Sequence, residues 1–172
     1  MNKKLLILRH AKSDWGADYS RDRERPLNKR GTNDAQLIGE WMVSQQLIPD
    51  LILCSPAKRA RSTLGYALNS FGNLDIETLF LEEFYLADTE TLLETIRSVP
   101  DTTQRLLLVG HNPGLEDLVL YLSKKRPPLT ESGKLFTTAN LAVFELDSSY
   151  SQLKQHGARL ETLLRPADLR DD

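Results

Sequence analysis

Apolar residues come in short unbroken runs, set apart by polar stretches and by segments of helical spacing. The first run, Leu5-Leu6-Ile7-Leu8, stops abruptly at Arg9-His10. Four consecutive large aliphatics predict a strand buried on both faces, as inside a parallel sheet. Residues 14–25 are polar and charge-rich, a loop by composition, and Pro26 excludes helix just before it. Over residues 29–46 the spacing turns helical, with Ala35, Ile38 and Met42 on one face and Leu37 and Trp41 widening it. Leu51-Ile52-Leu53-Cys54 predicts a second strand. Ser55-Pro56 then has the form of a helix start, serine as cap and proline in the first turn, with Ala60, Leu64, Ala67 and Leu68 as the buried stripe.

Residues 75–81 predict a short strand, and residues 89–97 a helix with Leu92, Leu93 and Ile96 inward. A strand at 106–109 leads into a helix from Gly114, where Leu115, Leu118, Val119 and Leu122 share a face. Residues 141–146 and 159–164 form two more predicted strands, a hairpin-like pair at the far side of the sheet. The alternation of strand and helix predicts an α/β fold, a three-layer α/β/α sandwich around a mostly parallel central sheet. The connections read as short, with no long insertion to close over a ligand.

Length changes that picture little: 172 residues, 40% of them hydrophobic, suffice for one core and predict a single domain over 1–172. A formal net charge of −2 gives no long-range attraction to nucleic acid or to an anionic membrane. The single cysteine, Cys54, lies inside an apolar run and fits a buried residue in a reducing compartment better than a reactive thiol. The apolar stretch after Lys3 and Lys4 is too short for a signal peptide or a membrane span, so a cytoplasmic location is expected. Oligomeric state is left open.

The chemistry concentrates at strand ends. In open α/β sheets, functional groups gather beyond the carboxyl ends of the strands, where Arg9 and His10 stand. The run at 106–109 repeats the design, ending in Gly110-His111-Asn112-Pro113-Gly114, so two of the chain's three histidines fall at equivalent places. His156, in a polar stretch, is expected in a surface turn. The helix after Ser55-Pro56 carries Lys58, Arg59 and Arg61 in its first turns, against the preference of a helix N-terminus for acids. Lys58 and Arg61 fit a solvated basic face. Arg59 makes better sense beside a bound anion, and phosphate suits paired bonds from planar guanidinium groups. With Arg9 and Arg25 the candidate site holds three arginines, which disfavour a metal ion, so neither metal nor other cofactor is expected. Histidine can serve as a nucleophile, and neighbouring positive charge keeps its lone pair free.

Arg9-His10, Ser55-Pro56-Ala57-Lys58-Arg59-Ala60-Arg61-Ser62-Thr63 and Val109-Gly110-His111-Asn112 together resemble the histidine phosphatase superfamily, in the branch related to the cofactor-dependent phosphoglycerate mutases. Arg-His-Ala-Lys-Ser, then Arg25-Pro26-Leu27 and Arg30-Gly31, resemble the SixA-type phosphohistidine phosphatases within it. The resemblance implies a phosphoglycerate mutase-like fold and a metal-independent phosphatase working through a phosphohistidine intermediate. It implies that His10 attacks phosphorus, that Arg9, Arg25 and Arg59 hold the phosphoryl oxygens, that His111 stabilises the transferring group and that Asn112 adds a bond. Many relatives carry an acid after the third strand; Glu82 and Glu83 lie there, Glu83 matching the pattern better, with solvent as the other proton donor. Ala11 replaces the superfamily's usual glycine, and Gly16 stands where an asparagine is common, both departures from the mutase form. The expected substrate is phosphohistidine in a protein, the rival a small sugar or nucleotide phosphate, and the reading from another class a non-catalytic phosphate-binding module. Trp15 and Thr138 are expected near the rim.

Overall fold

The protein is described by a computed structural model covering residues 2–16 and 21–170. The order is β1 (Lys4–Arg9), α1 (Lys29–Ser44), β2 (Leu51–Cys54), α2 (Lys58–Leu68), β3 (Glu77–Phe80), α3 (Thr89–Arg97), β4 (Arg105–Gly110), α4 (Gly114–Leu122), β5 (Leu141–Leu146) and β6 (Ala158–Leu164). The strands form one six-stranded sheet in the order β3-β2-β4-β1-β5-β6. β1 to β4 are mutually parallel, and β5 runs antiparallel to both β1 and β6.

Alternation along each strand builds the two halves of the core, because successive side chains point to opposite faces. Leu5 and Ile7 of β1 and Leu106 and Leu108 of β4 pack with α3 and α4 residues such as Leu93, Ile96, Leu118 and Leu122. Leu6, Leu8, Leu107 and Val109 face the other way, against Ala35, Ile38 and Met42 of α1 and Ala60 and Leu64 of α2. Each fully buried leucine contributes on the order of 2 kcal/mol. The unbroken aliphatic runs are therefore what two covered faces require. The three-layer α/β/α sandwich with a mostly parallel sheet is as expected, the β5–β6 pair lying beyond β1.

Three local differences matter for the site. α2 begins at Lys58, with Ala57 at its cap position and no side-chain cap bond, so Ser55 is not the cap. β3 is shorter than residues 75–81 and mostly exposed at the sheet edge. The connection between α4 and β5, residues 123–140, holds no helix or named strand, so the expectation of short linkers fails there. That segment returns over the carboxyl end of β1, where Ala139 N–H donates to the His10 carbonyl (3.1 Å) and Arg9 N–H donates to the Asn140 carbonyl (3.1 Å). β5 thus enters the sheet from the end at which β1 leaves it, which dictates its antiparallel direction.

Candidate active site

His10 follows the last residue of β1 and His111 the last residue of β4, and the register pairs Arg9 with Gly110. Neighbouring parallel strands ending level with one another must bring the two imidazoles together: their ring centroids are 5.2 Å apart. Both side chains are buried. A cavity of about 350 Å³ opens onto them, lined also by Arg9, Arg25, Arg59, Asn112, Asp22, Trp15 and Thr138. The structure therefore gathers every expected phosphate ligand around the two rings, with Trp15 and Thr138 in the wall.

The rings are held differently. The His10 Nδ1 lies 2.8 Å from the Ala11 carbonyl. A carbonyl can only accept, so the proton sits on Nδ1 and the Nε2 lone pair is left exposed for chemistry. Ala11 N–H donates to Thr63 Oγ1 (2.9 Å), whose hydroxyl donates to the Arg59 carbonyl (2.7 Å), tying this turn to α2. On the opposite side Gly31 lets α1 approach, since a Cβ there would stand 2.1 Å from the Lys12 carbonyl oxygen.

His111 places Nε2 at 2.7 Å from Ser55 Oγ, while its Nδ1 is buried without a partner in the protein. Ser55 Oγ also accepts from Ala57 N–H (3.3 Å). Tyr85 meets the His111 ring edge-on at 5.6 Å. Gly114, at the start of α4, lets the Ala87 backbone pack close, a Cβ there falling 2.0 Å from the Ala87 carbonyl oxygen.

Burial is the largest influence on both imidazoles. It lowers His10 to about 3, opposed by the Ala11 carbonyl and helped by His111, Arg59 and Arg9. It lowers His111 to about 4, with Arg59 adding to the effect and Asp22 opposing it. Both rings are neutral at pH 7.

The arginines are not equivalent. Arg59 is buried on the first turn of α2 and donates to the Asp22 carbonyl (2.8 Å) and to Asp22 Oδ2 (2.9 Å). Arg25 donates to Asp22 Oδ1 (2.9 Å) and to Ser13 Oγ, with its guanidinium stacked 3.6 Å from the Trp15 ring centroid. Tyr85 Oη donates to Asp22 Oδ2 at 2.5 Å. Partial desolvation pushes the Asp22 carboxyl up, but bonds from Tyr85, Arg25 and Arg59 together hold it well below the usual range. An ionised carboxylate thus bridges two of the three arginines.

Arg9 donates to the Phe136 carbonyl (3.1 Å), as does Asn112 Nδ2 (2.7 Å), while Phe136 N–H donates to Glu116 Oε1 (3.1 Å). Among the described residues, five buried side-chain polar atoms have no partner within the protein: Arg9 Nε, Arg59 Nε, His111 Nδ1, Asn112 Oδ1 and Arg165 Nε. Four of them belong to site residues. Orphaned polar atoms are costly in a core, and their concentration here marks a place built for a polar guest.

Glu83 does not take the expected position. Residues 82–84 form a tight 3-10 turn that buries Phe84 and leaves Glu82 and Glu83 exposed. Arg23 engages Glu82 through two bonds of 2.9 Å, and neither glutamate lines the cavity. Asp22, Ser55, Tyr85 and Thr63 are the residues the sequence reading missed. Ser55 sits at the carboxyl end of β2, so the rule that found His10 and His111 applies equally to it. Lys58 and Arg61 are exposed, as expected of a solvated face. His156 is exposed in a surface turn, as expected, its Nδ1 2.7 Å from the Ser123 carbonyl, and it does not line the cavity. No helix among the described residues is long and apolar enough to cross a membrane.

Comparison with known proteins agrees with this geometry. The sequence profile of the histidine phosphatase superfamily (branch 1) matches residues 5–118. A Mycobacterium tuberculosis H37Rv protein of uncharacterised activity is 37% identical over 116 residues, 67% of this chain and 70% of that one. The phosphohistidine phosphatase SixA of Escherichia coli K12 is 27% identical over 148 residues, 84% of this chain and 86% of that protein. A crystal structure described as a candidate phosphohistidine phosphatase, SixA, from Agrobacterium tumefaciens superposes with a TM-score of 0.79 at 30% identity, covering 96% of this chain and 99% of that one. With two strand-end histidines, three convergent arginines and a profile match across most of its length, this chain belongs to the histidine phosphatase superfamily, branch 1.

Proposed function

We propose that the protein is a metal-independent phosphatase that removes phosphate from phosphohistidine in proteins through a covalent intermediate on His10. The observation that carries this reading is the His10 ring: its Nδ1 is committed to the Ala11 carbonyl at 2.8 Å, and its other nitrogen is free beside a second imidazole and three arginines. In the first step Nε2 forms a bond to phosphorus as the bond to the leaving nitrogen breaks, that nitrogen keeping the electron pair and taking a proton from water. In the second step water attacks phosphorus, the N–P bond breaks and Nε2 recovers its pair. Such transition states are loose, so the arginines act by positioning and by stabilising charge on the equatorial oxygens.

A neutral His111 that accepts the Ser55 hydroxyl at Nε2 keeps its proton on Nδ1, the orphaned atom, and donates it to a phosphoryl oxygen. Asp22 sets the ground state of Arg25 and Arg59, and the phosphoryl group competes with that carboxylate for their donors. An imidazole leaving group is protonated readily by solvent, which suits a site whose nearby glutamates point elsewhere. Similarity to SixA proteins of Escherichia coli and Agrobacterium tumefaciens supports the choice of substrate.

Incubation with a histidine-phosphorylated protein and, separately, with a panel of sugar and nucleotide phosphates, following inorganic phosphate, tests the reading. Turnover of the phosphoprotein at a kcat/KM at least about tenfold above any phosphoester is expected. Preference for an ester would make the protein a small-molecule phosphomonoesterase. Binding without release would make it a recognition module.

A further inference from the structure

Beside the phosphoryl cavity lies a larger one, of about 520 Å³, and the two share Arg9 and Asn112 in their walls. A phosphoryl group engaged by His10 leaves this second space untouched. It is bounded by α4 and by the α4–β5 connection, the segment whose Phe136 backbone is held by Arg9, Asn112 and Glu116.

Two properties of its lining bear on the occupant. Leu120 and Leu129 line it with 41% and 46% of their surfaces exposed, so the wall offers apolar area that the core does not use. Arg126 and Lys134 also line it, and neither has an ion-pair partner among the described residues. The one acid in the lining, Glu116, accepts the Phe136 N–H and faces Arg9. The uncompensated charge is therefore positive, in a chain whose formal net charge is −2. Cations left unpaired around exposed leucines complement a surface that presents apolar side chains together with carboxylates.

We infer that this groove is the subsite for the leaving group, and that it receives the polypeptide flanking the phosphorylated histidine, with an apolar side chain against Leu120 and Leu129 and acidic side chains toward Arg126 and Lys134. The inference rests on the phosphohistidine reading for its substrate, but it concerns a different surface and makes a separate claim. The phosphoryl cavity performs the chemistry on any phosphorylated imidazole. The groove selects which protein presents it.

The test uses two peptides of equal length carrying a hydrolysis-resistant phosphohistidine analogue, one flanked by Leu and Glu, the other by Ser and Lys. Binding to the wild-type protein and to the Arg126→Glu/Lys134→Glu double variant is measured by calorimetry, with phosphoramidate hydrolysis as the control for an intact site. The Leu/Glu peptide is expected to bind the wild type about tenfold more tightly than the Ser/Lys peptide, and the double variant is expected to abolish or reverse that ranking while hydrolysing phosphoramidate at the wild-type rate. A Leu129→Asp variant should weaken the Leu/Glu peptide alone. Equal affinities for the two peptides, or a ranking that survives in the double variant, overturns the groove. Correct ranking with no hydrolysis of the corresponding phosphohistidine peptides supports the groove and removes the phosphatase reading instead.

Discussion

The turns that follow β1 and β4 start alike, with an aliphatic run, a strand end and then a histidine, yet the two imidazoles are wired to different kinds of partner. His10 faces a backbone carbonyl, which only accepts; His111 faces the hydroxyl of Ser55, which can donate or accept. The first arrangement locks one tautomer and leaves a lone pair at a defined nitrogen. The second permits a ring to hold or shift its proton as charge develops nearby. Both rings are buried, and burial is the first cause of the lowering in each, so the contrast is one of hydrogen-bond partner rather than of solvent exposure. In the mechanism proposed above, one strand end supplies the nucleophile and the adjacent one a donor.

If that division is right, His10→Ala should remove turnover by a factor of about 10⁴ or more, because the covalent step itself is lost, while vanadate still binds. Rapid quench into alkali with labelled substrate should recover no phosphorylated protein. His111→Gln should cost less, about 10²–10³ in kcat, as expected for one donor to a developing oxyanion, with a phosphorylated protein still detectable. A His111→Gln protein that never becomes phosphorylated would erase the distinction between the rings.

Ser55→Ala probes the partner rather than the ring. Loss of one hydrogen bond to His111 Nε2, worth about 1 kcal/mol, should lower kcat by about five- to tenfold and leave KM nearly unchanged. No such variant exists for His10, whose partner is main chain, so the asymmetry is itself testable by exhaustion of side-chain changes around residue 10.

The smallest effect is on pH dependence. Because the folded pKa values fall to about 3 for His10 and about 4 for His111, against about 6.5 in the unfolded chain, the unfolded state binds more protons between those limits. Stability contributed by these rings is complete above pH 6.5 and declines as pH falls, His111 ceasing to contribute to the slope near 4 and His10 near 3. Thermal melts should therefore lose less ground between pH 6.5 and 4 in His10→Ala than in the wild type. For the same reason kcat/KM should show no acid limb near pH 6.5.

What the sequence made legible followed from strand ends. Aliphatic runs fixed where β1, β2 and β4 stop, and the rule that chemistry gathers beyond the carboxyl ends of parallel strands then located Arg9, His10 and His111. Arg59 stood out because a cation in the first turn of a helix is locally unfavourable. Asp22 and Tyr85 were hidden because irregular segments carry no period from which a side chain's direction can be read. Glu83 was misplaced for a related reason: a Leu-x-Glu pattern does not say which residue of a 3-10 turn is buried, and Phe84 took that place. Residues 123–140 contain Pro127-Pro128, which announce a break but not that the chain stays irregular until β5.

The clasp on Phe136 gives this architecture a seam. Its main-chain carbonyl is gripped by Arg9 and Asn112 and its amide by Glu116, so the stretch upstream of it hangs from a fixed point. Arg165 adds bonds to the Pro128 and Leu135 carbonyls, so exchange of residues 129–134 is expected to leave the spacing of the two imidazoles as it is, and under the proposed groove it would change the preferred peptide and not the reaction centre.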